Sequence, residues 1–378
     1  MARRPHILCY LHSFEPGGVE RVALRLCNAW QAEGARVQLL LGRTDGVMGV
    51  DAPKLDYVTY SSHGVSTARF ETLWLLLCLW RQVRAERPDV IFCAGNTYTI
   101  IAVVLRLLLG GSCPPLVAKI SNDLERADLI APARMAYRLW LRVQGRIIDH
   151  FVGTAEPMRG VIARALAISH ERVAIIANPA LDNRQIAELA ASCRSTAAPG
   201  KLVLGVGRLV PQKRFDLLIR AFAAAGGSDD RLVILGDGPE RRPLEALAAR
   251  LGVGGKVRLE GHVADTHRWF RRCQVFVLSS DYEGLPGVVV EALAAGPAIV
   301  ATDCSPTMSN LLGDGRFGQL VPPGDQNALE QALRCAGAHS PDPIGALEHA
   351  RRHTVEQAAP AYLALMCDII LKHAGGNR

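Results

Sequence analysis

The sequence predicts two doubly wound α/β domains in tandem, and three observations support that reading. Short apolar runs of strand length alternate with amphipathic helical stretches along most of the chain. The alternation pauses at a Ser/Thr/Ala/Pro/Gly-rich run, 195–200, and then restarts. At 378 residues the chain is also long for a single domain, and 49% hydrophobic residues are enough for two buried cores. The expected domains are an N-terminal Rossmann-like domain over 1–180 and a second over 200–352, facing across a cleft, with a terminal helical segment over 353–378.

In the first half, a strand at 5–12 leads into a tight loop, SFEPGGVE, and a helix traced by Val22, Leu26, Ala29 and Trp30. Gly17 and Gly18 leave backbone N–H groups open to a phosphate at the helix start, or simply make a βα turn. The loop is not a GxGxxG fingerprint, and no P-loop Lys-Ser/Thr follows it. Strands at 37–41, 88–93, 116–120, 150–153 and 173–176 alternate with helices at 72–85, 100–109, 133–146 and 157–166. Asn122 and Asp123, after the strand at 116–120, either face a substrate or cap a helix. Within 133–146, Arg134, Arg138, Arg142 and Arg146 recur every fourth residue, flanked by Met135, Leu139, Trp140 and Val143. That pattern suits a helix lying on an anionic membrane surface; it also suits the solvated face of a core helix.

The second half repeats the scheme. A linker helix at 183–192 precedes strands at 202–206, 231–235, 257–259, 275–278 and 299–301. Helices are expected at 215–224, 244–251, 287–295, 327–336 and 353–372. The stretch 275–303 reads as strand, acidic glycine loop, helix and strand, with Gly296-Pro297 as the helix stop.

Composition narrows the setting. No segment reaches about 18 apolar residues, so no spanning helix is expected, and 7–11 is too short for a signal-peptide core. Ten scattered cysteines form no CxxC pair, which favours a reducing cytosol and no structural zinc. Of the net charge of +7, residues 1–180 carry +6, so an anionic surface would meet that half. No aromatic–basic interleaving or zinc-finger spacing points to nucleic acid.

The chemistry concentrates in two loops. Arg208 and Lys213, five apart after the strand at 202–206, can straddle a diphosphate or form a plain basic surface loop. Glu283 and Glu291, eight apart, lie in the loop and helix that follow the strand at 275–278. Open α/β sheets bind ligands at such carboxyl ends. A nucleotide-diphosphate sugar would use the whole set: cations for the departing diphosphate, one carboxylate for sugar hydroxyls, the other for a ribose diol. With Arg and Lys supplying the charge, no metal is required, and no DxD pair falls near a predicted loop.

These pieces resemble the retaining glycosyltransferases of family 4, which have the GT-B fold. The resemblance lies in EPGGVER (15–21), VGRLVPQKRFDLLIRAF (206–222), LGDGPER (235–241) and SSDYEGLPGVVVEALAAGPAIVATD (279–303). It implies Arg208 and Lys213 on the donor diphosphate, Glu283 on the donor sugar, Glu291 on the ribose, and Gly17 and Gly18 beside the phosphates. It adds backbone amides from Gly284, Leu285, Pro286 and Gly287, places Gly261, His262 and Val263 near the base, and has the terminal helix brace the first domain. Many members carry a histidine after the strand equivalent to 116–120; this chain has Ser121-Asn122-Asp123, which leaves Asn122 or Asp123 to assist the acceptor. The implied chemistry is front-face displacement from a UDP- or GDP-sugar to a polyprenyl-diphosphate-linked glycan at the inner face of the cytoplasmic membrane. A sugar-nucleotide epimerase of the same fold and a non-catalytic nucleotide-sugar binder are the alternatives, and a NAD-dependent dehydrogenase is disfavoured by the missing fingerprint.

Overall fold

A computed structural model describes residues 4–14, 17–44, 55–61, 70–120, 124, 130–191, 200–336 and 342–376. The chain divides into unit 1, residues 1–179 with 355–378, and unit 2, residues 180–354.

Unit 1 runs β1 (His6–Leu11), α1 (Gly18–Ala32), β2 (Arg36–Leu41), β3 (Tyr57–Thr59), α2 (Glu71–Glu86) and β4 (Val90–Cys93). It continues with a 3-10 turn (Asn96–Tyr98), α3 (Thr99–Leu109), β5 (Leu116–Lys119), α4 (Ala131–Ile147), β6 (His150–Gly153), α5 (Glu156–Leu166) and β7 (Val173–Ile175). The strands form one parallel sheet in the order β3-β2-β1-β4-β5-β6-β7. Because helices cover both faces, β1, β4 and β5 are buried throughout, which explains their unbroken apolar runs. Chain direction across the sheet reverses between β1 and β4, and that reversal is the topological switch point of this unit.

Unit 2 runs α6 (Asn183–Ala190), β8 (Leu202–Val206), a 3-10 turn (Pro211–Lys213), α7 (Phe215–Ala225), β9 (Arg231–Leu235), α8 (Arg241–Arg250) and β10 (Val257–Gly261). Then follow α9 (His267–Phe270), β11 (Val275–Leu278), α10 (Gly287–Ala295), β12 (Ala298–Thr302), α11 (Met308–Leu311), β13 (Gln319–Val321), α12 (Gln326–Cys335) and α13 (Pro343–Arg351). Its parallel sheet has the order β10-β9-β8-β11-β12-β13, with the switch point between β8 and β11.

The terminal helix, α14 (Val355–Gly376), belongs to unit 1 and packs on α1. Trp30 of α1 meets Tyr362 of α14 and Phe92 of β4 edge-on, with ring centroids 5.9 and 5.1 Å away, and its Nε1 donates to Ala359 O at 3.2 Å. Such aromatic pairs add about 1 kcal/mol each beyond the area they bury.

Some expectations need correction. The helix read as a linker packs instead within unit 2, where Ile186 and Leu189 are buried and α6 lies against α10 and α13. Asp182 starts it with a reciprocal capping box to Gln185. The boundaries therefore fall after residues 179 and 354, rather than after 180 and 352. The sequence reading also passed over β3 and β13, three-residue edge strands too short for a periodicity to register. Asn122, Asp123 and the 195–199 run lie outside the described residues.

Candidate active site

The switch point of unit 2 brings the predicted loops together. After β8 the chain makes the 3-10 turn and enters α7 through Arg214, which has a left-handed φ of 48°. Two carboxylates hold Arg214 there, Asp216 at 3.0 Å and Asp281 at 3.1 Å. Asp281 comes from the loop after β11, so one guanidinium ties the two loops. Three further bonds reinforce the tie. Asp281 N donates to Gln212 O at 2.9 Å, Gln212 Nε2 to Tyr282 O at 2.7 Å, and Ser279 Oγ to Lys213 O at 2.8 Å.

That tie delivers Lys213 to Glu283. Their side chains form an ion pair with 16% and 13% of their surfaces exposed, and Ser280 Oγ donates to the same Glu283 oxygen at 2.8 Å. At such burial each charge depends on the other, since removing one strands its partner in a poorly solvated site. Arg208, earlier in the same loop, is exposed.

A second layer clamps the acidic loop from the β12 side. Thr302 Oγ1 donates to Ser280 O at 2.6 Å, Ser305 Oγ to Gly284 O at 2.6 Å, and Glu283 N to Cys304 O at 2.9 Å. Cys304 lies behind Glu283; burial first, and the carboxylate second, push its thiol up to about 12, which keeps it protonated and inert. Ser279, Ser280, Thr302, Ser305 and Thr307 are all buried. The sequence reading missed these supports; a run of hydroxyl residues after two successive strands was the available signal.

From this loop α10 starts at Gly287 with no side-chain cap, after Gly284, Leu285 and Pro286, and ends at Gly296 in a left-handed conformation. Its interior residues Val289, Val290, Leu293 and Ala294 are buried. Glu291, half-buried on this helix, accepts from Thr266 Oγ1 at 3.3 Å. Beyond β9 and β10 the backbones nearly touch. A Cβ on Gly236, at φ +133°, would lie 1.9 Å from Gly207 O, and Gly236 N donates to Gly261 O at 2.8 Å. Gly261 is buried, Val263 packs against the core, and His262 is exposed.

Lys213 and Glu283 are in contact, while Arg208, Glu291 and the Gly261–Val263 turn belong to the same unit 2. Gly17, Gly18 and the arginine stripe belong to unit 1. Glu20 folds back over Gly17, so that a Cβ there would lie 1.9 Å from Glu20 Oε2, while the space beside Gly18 is open. On α4, Arg138, Arg142 and Arg146 are exposed and Arg134 is half-buried. No group of three His, Cys, Asp or Glu side chains is placed to hold a metal among the described residues.

Two parallel-sheet α/β units of this topology define the GT-B class. The structure matches Anabaena Alr3699/HepE, solved in complex with UDP, with a TM-score of 0.75 at 17% identity, over 96% of this chain and 100% of that one. Residues 16–180 match the Glycosyltransferase Family 4 domain and residues 200–337 the Glycosyl transferases group 1 domain. The lipopolysaccharide core biosynthesis glycosyltransferase LpsE of Rhizobium meliloti is 35% identical over 86% of both chains. A Campylobacter jejuni protein is also 35% identical, over 46% of each chain. It is named N-acetylgalactosamine-N,N'-diacetylbacillosaminyl-diphospho-undecaprenol 4-alpha-N-acetylgalactosaminyltransferase. The chain spans about half the length of that relative and most of LpsE. The protein belongs to the family 4 glycosyltransferases and is a transferase enzyme.

Proposed function

We propose that the enzyme moves a sugar, with retention, from a UDP- or GDP-sugar to a glycan carried on a polyprenyl diphosphate, in surface-glycan or exopolysaccharide assembly. The observation that carries the donor half is the Lys213–Glu283 pair at the switch point of unit 2, with exposed Arg208 in the same loop. A bound diphosphate competes for Lys213 and takes up Arg208, so the two cations neutralise the leaving group and no metal is needed. Glu283, freed from Lys213, accepts from the donor sugar's hydroxyls. Glu291 accepts from the ribose diol, the Gly261–Val263 turn borders the base, and the amides from Gly284 to Gly287 point at phosphate or sugar. Gly17 and Gly18 remain candidates for the phosphate contacts, with Glu20 folded back over Gly17. The C1–O bond to the phosphate breaks, the acceptor oxygen bonds C1 on the same face, and the departing phosphate oxygen takes the acceptor proton. Asn122 and Asp123 remain candidates for orienting that acceptor.

The lipid-linked acceptor is supported by the undecaprenol-bearing name of the Campylobacter relative and by the surface of unit 1. No helix among the described residues is long and apolar enough to cross a membrane. The side-by-side helices α2, α3 and α4 nevertheless expose Leu73, Leu77, Leu107, Leu108, Met135 and Leu139, each more than half accessible. Apolar side chains beside Arg138, Arg142 and Arg146 suit an anionic bilayer at its cytoplasmic face, and nucleic acid has no part in this scheme.

Released UDP or GDP, measured across a sugar panel with and without acceptor, separates transfer from epimerisation and from silent binding. Full activity in both Glu283→Ala and Lys213→Ala would sink the site assignment. Charge reversal at Arg138 and Arg142 should weaken binding to phosphatidylserine vesicles by about 1 kcal/mol or more per site. Unchanged co-sedimentation would remove the membrane face from the proposal.

A further inference from the structure

Unit 1 has a switch point of its own, between β1 and β4, and its lining is unlike that of unit 2. His12 follows β1, and Tyr98 ends the 3-10 turn that follows β4. Their rings stack with centroids 5.0 Å apart. Tyr98 is fixed from three sides: its Oη donates to Glu20 Oε1 at 2.8 Å, its carbonyl accepts from Tyr10 Oη at 2.8 Å, and His12 N donates to its Oη at 3.4 Å. Arg43, after β2, donates through its backbone N to His12 O at 2.9 Å, while its guanidinium pairs with Glu71 at 3.1 Å. The histidine is therefore held by its backbone, its stacking partner and the loop after β2.

The ring itself is poised. His12 is half-buried, and its Nδ1 is inaccessible and has no hydrogen-bond partner among the described residues. A proton on Nδ1 would be a buried orphan donor, which proteins avoid more strictly than an orphan lone pair. The proton therefore belongs on Nε2. Burial holds the imidazole below its ordinary value; Glu71 and Glu20 oppose that shift and Arg43 adds to it, so the ring is neutral near pH 7. The charged groups around it are two carboxylates and one already paired arginine, a set that repels a phosphate and accepts uncharged hydroxyls.

We infer that the His12–Tyr98 cluster at the switch point of unit 1 is a sugar-hydroxyl subsite, in which His12 Nε2–H donates to a hydroxyl of the acceptor glycan. The acceptor role rests on the transferase reading above; the binding of a neutral sugar does not. His12 acts as a positioning residue for the acceptor, and Tyr98, locked by Glu20, sets the plane of its ring.

The full-length protein labelled with ¹⁵N-histidine tests this, with His12→Ala assigning the signal. Methyl glycosides of glucose, galactose, mannose, N-acetylglucosamine and N-acetylgalactosamine are titrated in turn, then pyrophosphate, then UDP and GDP. The Nε2–H tautomer should be visible, and at least one glycoside should move the His12 signal at concentrations where pyrophosphate does not. Loss of one hydrogen bond in His12→Ala should weaken that glycoside by about tenfold, measured by saturation transfer. His12→Gln, whose amide reaches the Nε2 position, should recover most of the affinity, a rescue that a merely structural histidine would not give. No response to any glycoside, or a stronger response to pyrophosphate, overturns the inference. If glycosides act at His12 while neither UDP nor GDP binds, the donor reading fails and the subsite stands.

Discussion

The two units solve one architectural problem with opposite chemistry. Each is a doubly wound parallel sheet with one switch point, and each places a short 3-10 turn there. In unit 2 that turn carries Lys213 into an ion pair with Glu283, and Arg208 in the same loop is exposed. In unit 1 it carries Tyr98 to His12 and Glu20, and the nearest arginine is tied to Glu71. Both units thus gather ionisable side chains at the strand reversal, and the two sets differ in charge.

The largest expected effect breaks the unit 2 site. Glu283→Ala and Lys213→Ala should each lower donor turnover by on the order of 10²-fold or more, read as released nucleotide. Because the pair is well buried, each single change should also lower the melting temperature, and Lys213→Met with Glu283→Gln together should restore part of it. Additive losses in the double variant would show that the two charges do not depend on each other.

A smaller effect separates the glycines of the two units. Gly236→Ala meets both a left-handed φ and a backbone oxygen 1.9 Å from the new Cβ, so it should cost more than about 1 kcal/mol in denaturant melts. Gly18→Ala opens into free space at a helix start and should stay within about 0.5 kcal/mol of the wild type. Equal losses at both positions would dissolve the distinction.

The smallest effect is a pH slope. Burial lowers the ionisation of His12, His150 and His349 in the folded protein. Below about pH 6.5 the unfolded chain then binds more protons than the folded one, so stability should fall as the solution is acidified. His12→Gln should shallow that slope between pH 7.5 and 5.5; an unchanged slope would mean that His12 is not desolvated as described.

Much of unit 2 was legible in the sequence because its chemistry is local. Glu283, Gly284, Pro286 and Glu291 lie within one strand–loop–helix passage, and the strand at 275–278 and the helix from Gly287 stand where the apolar pattern put them. What escaped was the clamp of Thr302 and Ser305 and the Arg214–Asp281 tie, because each joins loops separated by many residues. The unit 1 cluster was illegible for the same reason in a stronger form. His12, Glu20, Arg43, Glu71 and Tyr98 come from five positions, and nothing in their spacing announces that β1, β2 and β4 will stand side by side. The linker helix was misplaced because it stands beside the Ser/Thr/Ala/Pro/Gly-rich run at the boundary, whereas Ile186 and Leu189 find a core only in the folded unit.

The division of labour between the two switch points is tested most directly by calorimetric titration of UDP and GDP into wild type, Arg208→Ala, Lys213→Ala and His12→Ala. One nucleotide should bind, about tenfold or more weaker in Arg208→Ala and in Lys213→Ala, and unchanged in His12→Ala. Equal affinity in wild type and both cation variants, or a loss confined to His12→Ala, would contradict the assignment of the diphosphate to unit 2.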